Sequence, residues 1–289
     1  MASPLLYKGM TRAELDAAYN NRAAVTDFAA LMRGYRTRSD ALYATTPCQR
    51  NLRYGPGERQ TYDLLHSGHA DAPIFVFIHG GYWQSATKED FAFCAAGPLG
   101  LGYDVVLAEY TLAPEATMTR IVQEIGALLD HLAAQEAGRG RKAQIVLAGH
   151  SAGGHLAALY RAHPAVHAVL AISGLFDLHP ISLTWLNDAL QLTETEIASL
   201  SPSQRIGPGA PMIISVGAVE LVGLFSQSVD YAESCRNAGE AITELHLPGC
   251  DHFAVLDDLA DPRGRQLAAL SDLIGRQTSA PVGRGCHAG

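Results

Sequence analysis

Short apolar runs alternate with longer segments of mixed polarity along most of the chain. Runs such as 74–78 and 145–148 have the length of strands and are apolar at every position. A strand that is apolar on both faces is typical of a parallel sheet covered by helices on both sides. The pattern predicts strands over 74–79, 104–110, 144–149, 168–173, 212–216 and 242–247, and helices over 87–99, 117–137, 152–162, 226–237 and 262–277. It therefore indicates one α/β domain over 1–289, with a mostly parallel central sheet flanked by helices.

Two segments fall outside this alternation. Residues 11–33 predict a helix, with Thr11 as its N-cap, Glu14 three residues later and Gly34 as its stop. Residues 178–206 contain short helical pieces rich in Leu, Thr and Ser, together with Trp185. We expect both segments to form a small helical cap that covers a pocket at the carboxyl edge of the sheet. The Gly-rich tail from Ser279 is expected to fray.

Composition and charge indicate which kinds of molecule the protein binds. The formal charge of -8 over 289 residues, without clustered Lys and Arg, disfavours nucleic acid. No apolar run approaches the ~20 residues of a membrane-spanning helix, and the N-terminus lacks the apolar run of a signal peptide. Five scattered cysteines and the absence of an H-E-x-x-H motif suggest neither a disulfide framework nor a metal site. We expect a cytoplasmic protein that acts on a small molecule without a cofactor; a homodimer is compatible with the sequence.

A candidate nucleophile follows one of the predicted strands. The segment GHSAG over 149–153 fits G-x-S-x-G and stands between an apolar strand and an Ala-rich helix. In this setting Ser151 is held in a strained turn that projects its hydroxyl, and Gly149 and Gly153 relieve the crowding around it. The alternative, a nucleotide-binding turn, lacks both G-x-G-x-x-G and a following Lys. The motif therefore predicts nucleophilic catalysis by Ser151.

A glycine-rich loop follows the first predicted apolar strand, as HGGYW over 79–83. Acyl transfer places negative charge on the former carbonyl oxygen, and backbone amides near the nucleophile can stabilise it. We expect the amides of Gly81, Tyr82 and Ala152 to form this oxyanion hole. His79 is expected to hold the loop rather than to act as a base, and Trp83 to pack beneath it.

A serine nucleophile needs a general base, and the base needs a carboxylate that orients it. His252 stands in the turn-rich segment PGCDHF after the last predicted strand, and we prefer it to His246, which lies inside that strand. Glu220 follows the strand over 212–216 through a short turn and is the favoured acid. Asp177, which follows the strand over 168–173, is the alternative.

Several of these segments together resemble the kynurenine formamidase (arylformamidase) family of α/β-hydrolases. The resemblance rests on HGGYWQSATK over 79–88, GHSAGGHLAAL over 149–159, SGLFDLHPI over 173–181, Gln227 with Ser228, and DHF over 251–253. It implies an α/β-hydrolase fold and the hydrolysis of N-formylkynurenine to kynurenine and formate. It also implies Ser151 and His252 in the roles given above, and Gly81, Tyr82 and Ala152 around the oxyanion.

The sequence departs from the family in two places. Glu220 stands where the family usually carries aspartate. The following stretch, usually Pro-Glu-Phe with a basic residue before Gln-Ser, is VGLFS over 222–226 and has lost those charges. We expect a hydrolase of small aryl formamides or acyl arylamides. The alternatives are a general carboxylesterase for short-chain aryl esters and a non-catalytic ligand-binding protein on the same fold.

Overall fold

The computed structural model describes residues 4–279, whose strands form a single eight-stranded sheet in the order β1-β2-β4-β3-β5-β6-β7-β8. β1 pairs antiparallel with β2, and β2 with β4, whereas all the other pairs are parallel. The strands are β1 Cys48–Arg53, β2 Thr61–Leu65, β3 Ile74–Ile78, β4 Asp104–Ala108, β5 Ile145–His150, β6 Val166–Ile172, β7 Met212–Gly217 and β8 Ile242–Leu247. The six predicted strands are therefore confirmed.

Helices cover both faces of the sheet, and alternate residues of a strand enter different cores. Val76 and Ile78 of β3 belong to one apolar cluster, and Phe75 and Phe77 to the other. This two-sided burial explains why the central strands are apolar at every position. The helices are α1 Arg12–Ala18, α2 Phe28–Thr45, α3 Ala96–Gly100, α4 Met118–Gly138, α5 Ala152–Leu159, α6 His179–Ser182, α7 Asn187–Leu190, α8 Glu194–Leu200, α9 Val222–Asn237, α10 Val255–Ala260 and α11 Arg265–Ser279.

The single helix predicted over 11–33 is wrong. The capping box of Thr11 and Glu14 forms, but α1 ends at Ala18. A loop follows, and the Asp27 side chain accepts a hydrogen bond from the Ala30 amide, so it begins α2 as a new N-cap. Gly34, the predicted stop, lies inside α2. The loop over 19–27 contributes Asn21 and Arg22 to the wall of the candidate active site.

One other predicted helix is wrong, and three elements were not predicted. The segment 87–99 is not one continuous helix: it forms 3₁₀ turns over Lys88–Asp90 and Ala92–Ala95 and then α3. The final helix predicted over 262–277 forms as α11, and α10 precedes it as a helix that the pattern did not predict. β1 and β2 escaped prediction since β1 is a largely exposed edge strand and β2 carries the buried Asp63. The Gly-rich tail beyond Ser279 lies outside the described residues.

Candidate active site

Ser151, the candidate nucleophile, occupies the turn between β5 and α5. Its backbone has φ 56° and ψ −117°, a conformation that L-residues rarely adopt. A side chain at position 149 would collide with the Gly153 carbonyl, and one at position 153 with the Ile78 carbonyl. The two glycines therefore let β5, α5 and β3 approach each other around the strained serine. The predicted turn forms as expected from its local sequence.

The loop after β3 has an unusual backbone. Gly81, Tyr82 and Trp83 have φ of 112°, 52° and 58°, and a side chain at position 81 would collide with the Ser85 carbonyl. The amides of Gln84 and Ser85 close the loop by donating to the Gly81 carbonyl at 3.0 and 3.1 Å. Within residues 4–279 the amides of Gly81 and Tyr82 have no such acceptor in the protein. They are therefore available as donors to a bound oxyanion.

The side chains of Tyr82 and Trp83 fasten this loop to the core. The Tyr82 hydroxyl donates to the Tyr19 carbonyl at 2.6 Å and accepts from the Asn21 amide group at 3.0 Å. Burial raises the pKa of Tyr82 well above its ordinary value, so the hydroxyl stays neutral. Trp83 is fully buried and meets the His155 ring edge to face, with centroids 5.0 Å apart.

His252 and Glu220 form a buried pair. His252 Nδ1 lies 2.8 Å from Glu220 Oε2, and the two side chains are 6% and 0% exposed. The other carboxylate oxygen accepts from the Ser173 hydroxyl and from the Gly217 amide at 2.8 Å. Nδ1–H of His252 thus donates to the carboxylate, which leaves Nε2 as the ring's acceptor. This is the tautomer that a general base requires.

Each alternative residue lies elsewhere. The Asp177 carboxylate accepts from the Tyr7 hydroxyl and the His179 amide, and lines a second cavity of about 260 Å³. His246 is exposed and bonds to Glu244. Neither residue lines the cavity that contains Ser151 and His252.

His79 is part of the scaffold beneath the loop. Its Nε2 lies 3.1 Å from Glu109 Oε1, and its ring stacks on Tyr110 with centroids 4.6 Å apart. Burial opposes ionisation of Glu109, but His79 and then Arg59 outweigh it and lower the pKa of Glu109 to about 2. A buried carboxylate thus holds His79 in place.

His150 is a component that sequence reasoning missed. Its Nε2 donates to the His252 carbonyl at 2.8 Å, and the two rings lie 4.5 Å apart. Burial, followed by the nearby His252, lowers the pKa of His150 well below its ordinary value. A neutral His150 therefore supports the backbone that carries His252. Its position beside Ser151 in GHSAG was the one available signal.

Ser151, His150 and His252 line a cavity of about 290 Å³. Much of its wall comes from aromatic and apolar side chains, and a large share belongs to the loop over 19–27 and to α2. The apolar contributors are Phe28, Met32, Tyr82, Ala86, Phe91 and Phe253, and the polar ones include Asn21, Arg22, Ser85 and Asp90. The shape suits a small, partly aromatic molecule.

The second predicted cap segment, 178–206, does not line this cavity. It packs instead on the outer side of the loop after β3, where the Gln84 amide group donates to the Leu186 carbonyl at 2.8 Å. It also meets α4 through Glu196, which accepts from Thr119, and α5 through His155, which bonds to the Leu200 carbonyl. Its apolar residues therefore cover the core rather than the cavity.

The described residues contain no group of three or more His, Cys, Asp or Glu side chains placed to bind a metal ion. None of the described helices is both long and apolar enough to cross a membrane.

Comparisons with known proteins find similar sequences. A model of the BD-FAE family matches residues 63–170. The chain is 29% identical to a kynurenine formamidase of Salmo salar, over 78% of this chain and 82% of that protein. It is 26% identical to a kynurenine formamidase of Danio rerio, over 93% of this chain and 99% of that protein.

Solved structures give the same fold. A proposed thioesterase from a Silicibacter species superposes with a TM-score of 0.80 and 28% identity, over 89% of this chain and 99% of that one. An esterase from Pyrobaculum calidifontis, at 18% identity, superposes with a TM-score of 0.68 over 86% of this chain and 93% of that one. The chain therefore has the α/β-hydrolase fold and resembles the kynurenine formamidases, as predicted.

Proposed function

We propose that this chain is a serine hydrolase of small aryl formamides and acyl arylamides, similar to N-formylkynurenine. The observation that carries the proposal is one cavity that contains Ser151 on a strained turn and His252 bonded to the buried Glu220. The names of the relatives from Salmo salar and Danio rerio support the formamide class.

In the first step, Ser151 Oγ attacks the carbonyl carbon while His252 Nε2 removes the hydroxyl proton. Glu220 accepts from Nδ1–H and stabilises the imidazolium that forms. The carbonyl electron pair moves to oxygen, where the amides of Gly81, Tyr82 and Ala152 bind the negative charge. Each such donor contributes roughly 3–4 kcal/mol to transition-state stabilisation.

In the second step, the carbon–nitrogen bond breaks and His252 returns the proton to the leaving nitrogen, which departs as an arylamine. Water then attacks the acyl-enzyme, with His252 as base again, and releases formate or another small carboxylate and the free Ser151. Every proton moves through one imidazole nitrogen, which explains why Glu220 must keep that nitrogen unprotonated in the resting state.

The aromatic preference follows from the walls of the cavity. Phe28, Phe91 and Phe253 offer ring faces and edges to a substrate, and Phe28 and Phe253 already meet each other with centroids 5.4 Å apart. At about 290 Å³ the cavity is at the lower end of the ~300–1,000 Å³ range for small-molecule sites. A single aryl ring with a short acyl group suits these dimensions.

Short-chain aryl esters are the second candidate substrates. The same attack and oxyanion stabilisation cleave an ester, and an aryl oxide needs less help from the general acid than an arylamine does. The four described cysteines are all free thiols, which supports a reducing, cytoplasmic compartment for either activity.

The test compares kcat/KM for formanilide, N-formylkynurenine, acetanilide and phenyl acetate with purified protein. We expect the formamides to exceed acetanilide, and Ser151→Ala to abolish all four activities. Mass spectrometry after rapid acid quenching should find an acyl group on the peptide that contains Ser151. Turnover of phenyl acetate alone would favour the esterase, and turnover that persists in Ser151→Ala would overturn the proposal.

A further inference from the structure

Among the described residues, Arg22 is the one arginine or lysine that lines the catalytic cavity. Arg22 lies in the loop between α1 and α2, beside Asn21, which is buried and bonded to the Tyr82 hydroxyl. Its guanidinium carbon lies 4.8 Å from the centroid of the Phe28 ring. Among residues 4–279, no carboxylate lies within salt-bridge distance of Arg22. Its charge is therefore available to a bound molecule.

Asp90 is the acidic side chain among the described residues that line the cavity, and its carboxylate is already engaged. Asp90 Oδ2 accepts from the Thr87 amide at 2.9 Å and from its hydroxyl at 3.2 Å, while Oδ1 lies 3.7 Å from Arg36. Glu220 is fully buried behind His252. Among the described residues that line the cavity, a substrate thus meets an unpaired guanidinium but no unpaired carboxylate that could bind an ammonium group.

We propose that Arg22 is a specificity-determining residue that binds a carboxylate on the aryl part of the substrate. The inference rests on the proposed function and narrows it: aryl formamides or esters with a plain carboxylate are preferred over neutral ones and over zwitterionic α-amino acids. The guanidinium of Arg22 lies over the Phe28 ring, and a guanidinium can offer a carboxylate two parallel hydrogen bonds. A lysine at this position offers charge without that geometry.

The loop that carries Arg22 is bonded to the loop that carries the proposed oxyanion donors. Asn21 fastens the loop to Tyr82, whose backbone amide is a proposed oxyanion donor. Phe28 and Phe253, whose rings meet with centroids 5.4 Å apart, line the same cavity as Arg22 and His252. An aryl ring packed against the cavity side of these two rings would carry its acyl group toward Ser151 and its carboxylate toward the loop.

The experiment uses three substrates: para-formamidobenzoate, formanilide and N-formylkynurenine. In the unmodified protein we expect kcat/KM for para-formamidobenzoate to exceed that for formanilide about fivefold, the upper range for an exposed ion pair. Arg22→Gln should remove this advantage by raising the KM for para-formamidobenzoate. Its kcat/KM for formanilide should stay within twofold of the value for the unmodified protein. Arg22→Lys should retain part of the advantage, and 0.5 M salt should reduce it because exposed charges are screened.

Arg33→Gln is the matched control, since Arg33 is an exposed cation on α2 outside the cavity and its loss changes the net charge equally. The role of Arg22 would be overturned if Arg33→Gln lowered kcat/KM for para-formamidobenzoate as much as Arg22→Gln does. It would also be overturned if Arg22→Gln lowered kcat/KM for formanilide and for para-formamidobenzoate equally. Preference of the unmodified protein for N-formylkynurenine over para-formamidobenzoate would overturn the exclusion of zwitterions.

A measurement without turnover separates this inference from the proposed function. If no formamide is hydrolysed, the proposed function fails, but the role of Arg22 is still decided by the Kd of para-aminobenzoate and of aniline. Tighter binding of para-aminobenzoate that disappears in Arg22→Gln supports the inference. Equal affinity in the variant and the unmodified protein overturns it.

Discussion

The Glu220→Gln substitution probes the carboxylate with almost no change in volume. In the structure, one oxygen of Glu220 accepts from Gly217 and Ser173, and the other accepts from His252 Nδ1. A glutamine oxygen can replace only one of these acceptors. Two donors already converge on the first position, so the amide oxygen belongs there and the amide NH₂ faces His252.

An NH₂ group at that place needs an acceptor, which makes Nδ1 of His252 the unprotonated nitrogen. The ring proton then moves to Nε2, and His252 can no longer remove the Ser151 proton. Substitutions of this kind lower kcat by about 10⁴ in a serine protease. We expect a loss of about 10³ to 10⁴ here, or roughly 4–5.5 kcal/mol in the activation free energy.

Glu220→Asp tests the length of the side chain. The carboxylate retreats by about one carbon–carbon bond, ~1.5 Å. The turn has limited freedom to follow, because the Val219 amide donates to the Cys250 carbonyl at 3.1 Å and the Ala218 amide to the Leu247 carbonyl at 2.9 Å. A loss of roughly tenfold to a hundredfold is expected, milder than for Glu220→Gln since the correct tautomer is kept.

The assay measures kcat for phenyl acetate and formanilide across Glu220→Gln, Glu220→Asp, Ser173→Ala and Asp177→Asn, with thermal melting as the control for folding. Ser173→Ala removes one donor to Glu220 but leaves the acceptor for His252, so its loss should stay below about tenfold. The kcat of Asp177→Asn should remain close to that of the unmodified protein. Normal turnover in Glu220→Gln together with its loss in Asp177→Asn would refute the assignment of the acid.

Three further predictions concern the nucleophile, the cavity and stability. Ser151→Ala should lower hydrolysis of p-nitrophenyl acetate by at least ~10⁴-fold without unfolding the protein, and activity within tenfold of the unmodified protein would refute its role. Dodecanoyl aryl esters should be hydrolysed far more slowly than acetyl esters because the cavity holds about 290 Å³; comparable kcat/KM values would contradict a closed site. Burial lowers the pKa of His155 from 6.5 to about 4, so its contribution to the free energy of unfolding is complete above pH 6.5 and is lost as the pH falls toward 4. Urea titrations give the decrease in the free energy of unfolding between pH 7.5 and pH 4.5. This decrease should be roughly 2–3 kcal/mol smaller in His155→Gln than in the unmodified protein. In His69→Gln, which changes an exposed histidine, the decrease should equal that of the unmodified protein.

Local sequence determined the main elements and the elbow at Ser151. The strands of the parallel core are apolar on both faces. This pattern predicts the strands whatever their order in the sheet. The elbow depends on Gly149 and Gly153, whose missing side chains are required by contacts within a few residues or with the neighbouring strand β3. Such short-range steric requirements are visible in the sequence itself.

Tertiary structure decided which distant groups meet. Glu220 and Asp177 both follow parallel strands by short loops, and only the path of the turn after β7 brings Glu220 to His252. Likewise, hydrophobic pattern assigned 178–206 to a pocket that it does not line, while the loop over 19–27 supplies Asn21 and Arg22. Polar side chains in loops carry no periodic signal, so their partners depend on how the chain returns across the sheet, which the order of residues alone does not specify.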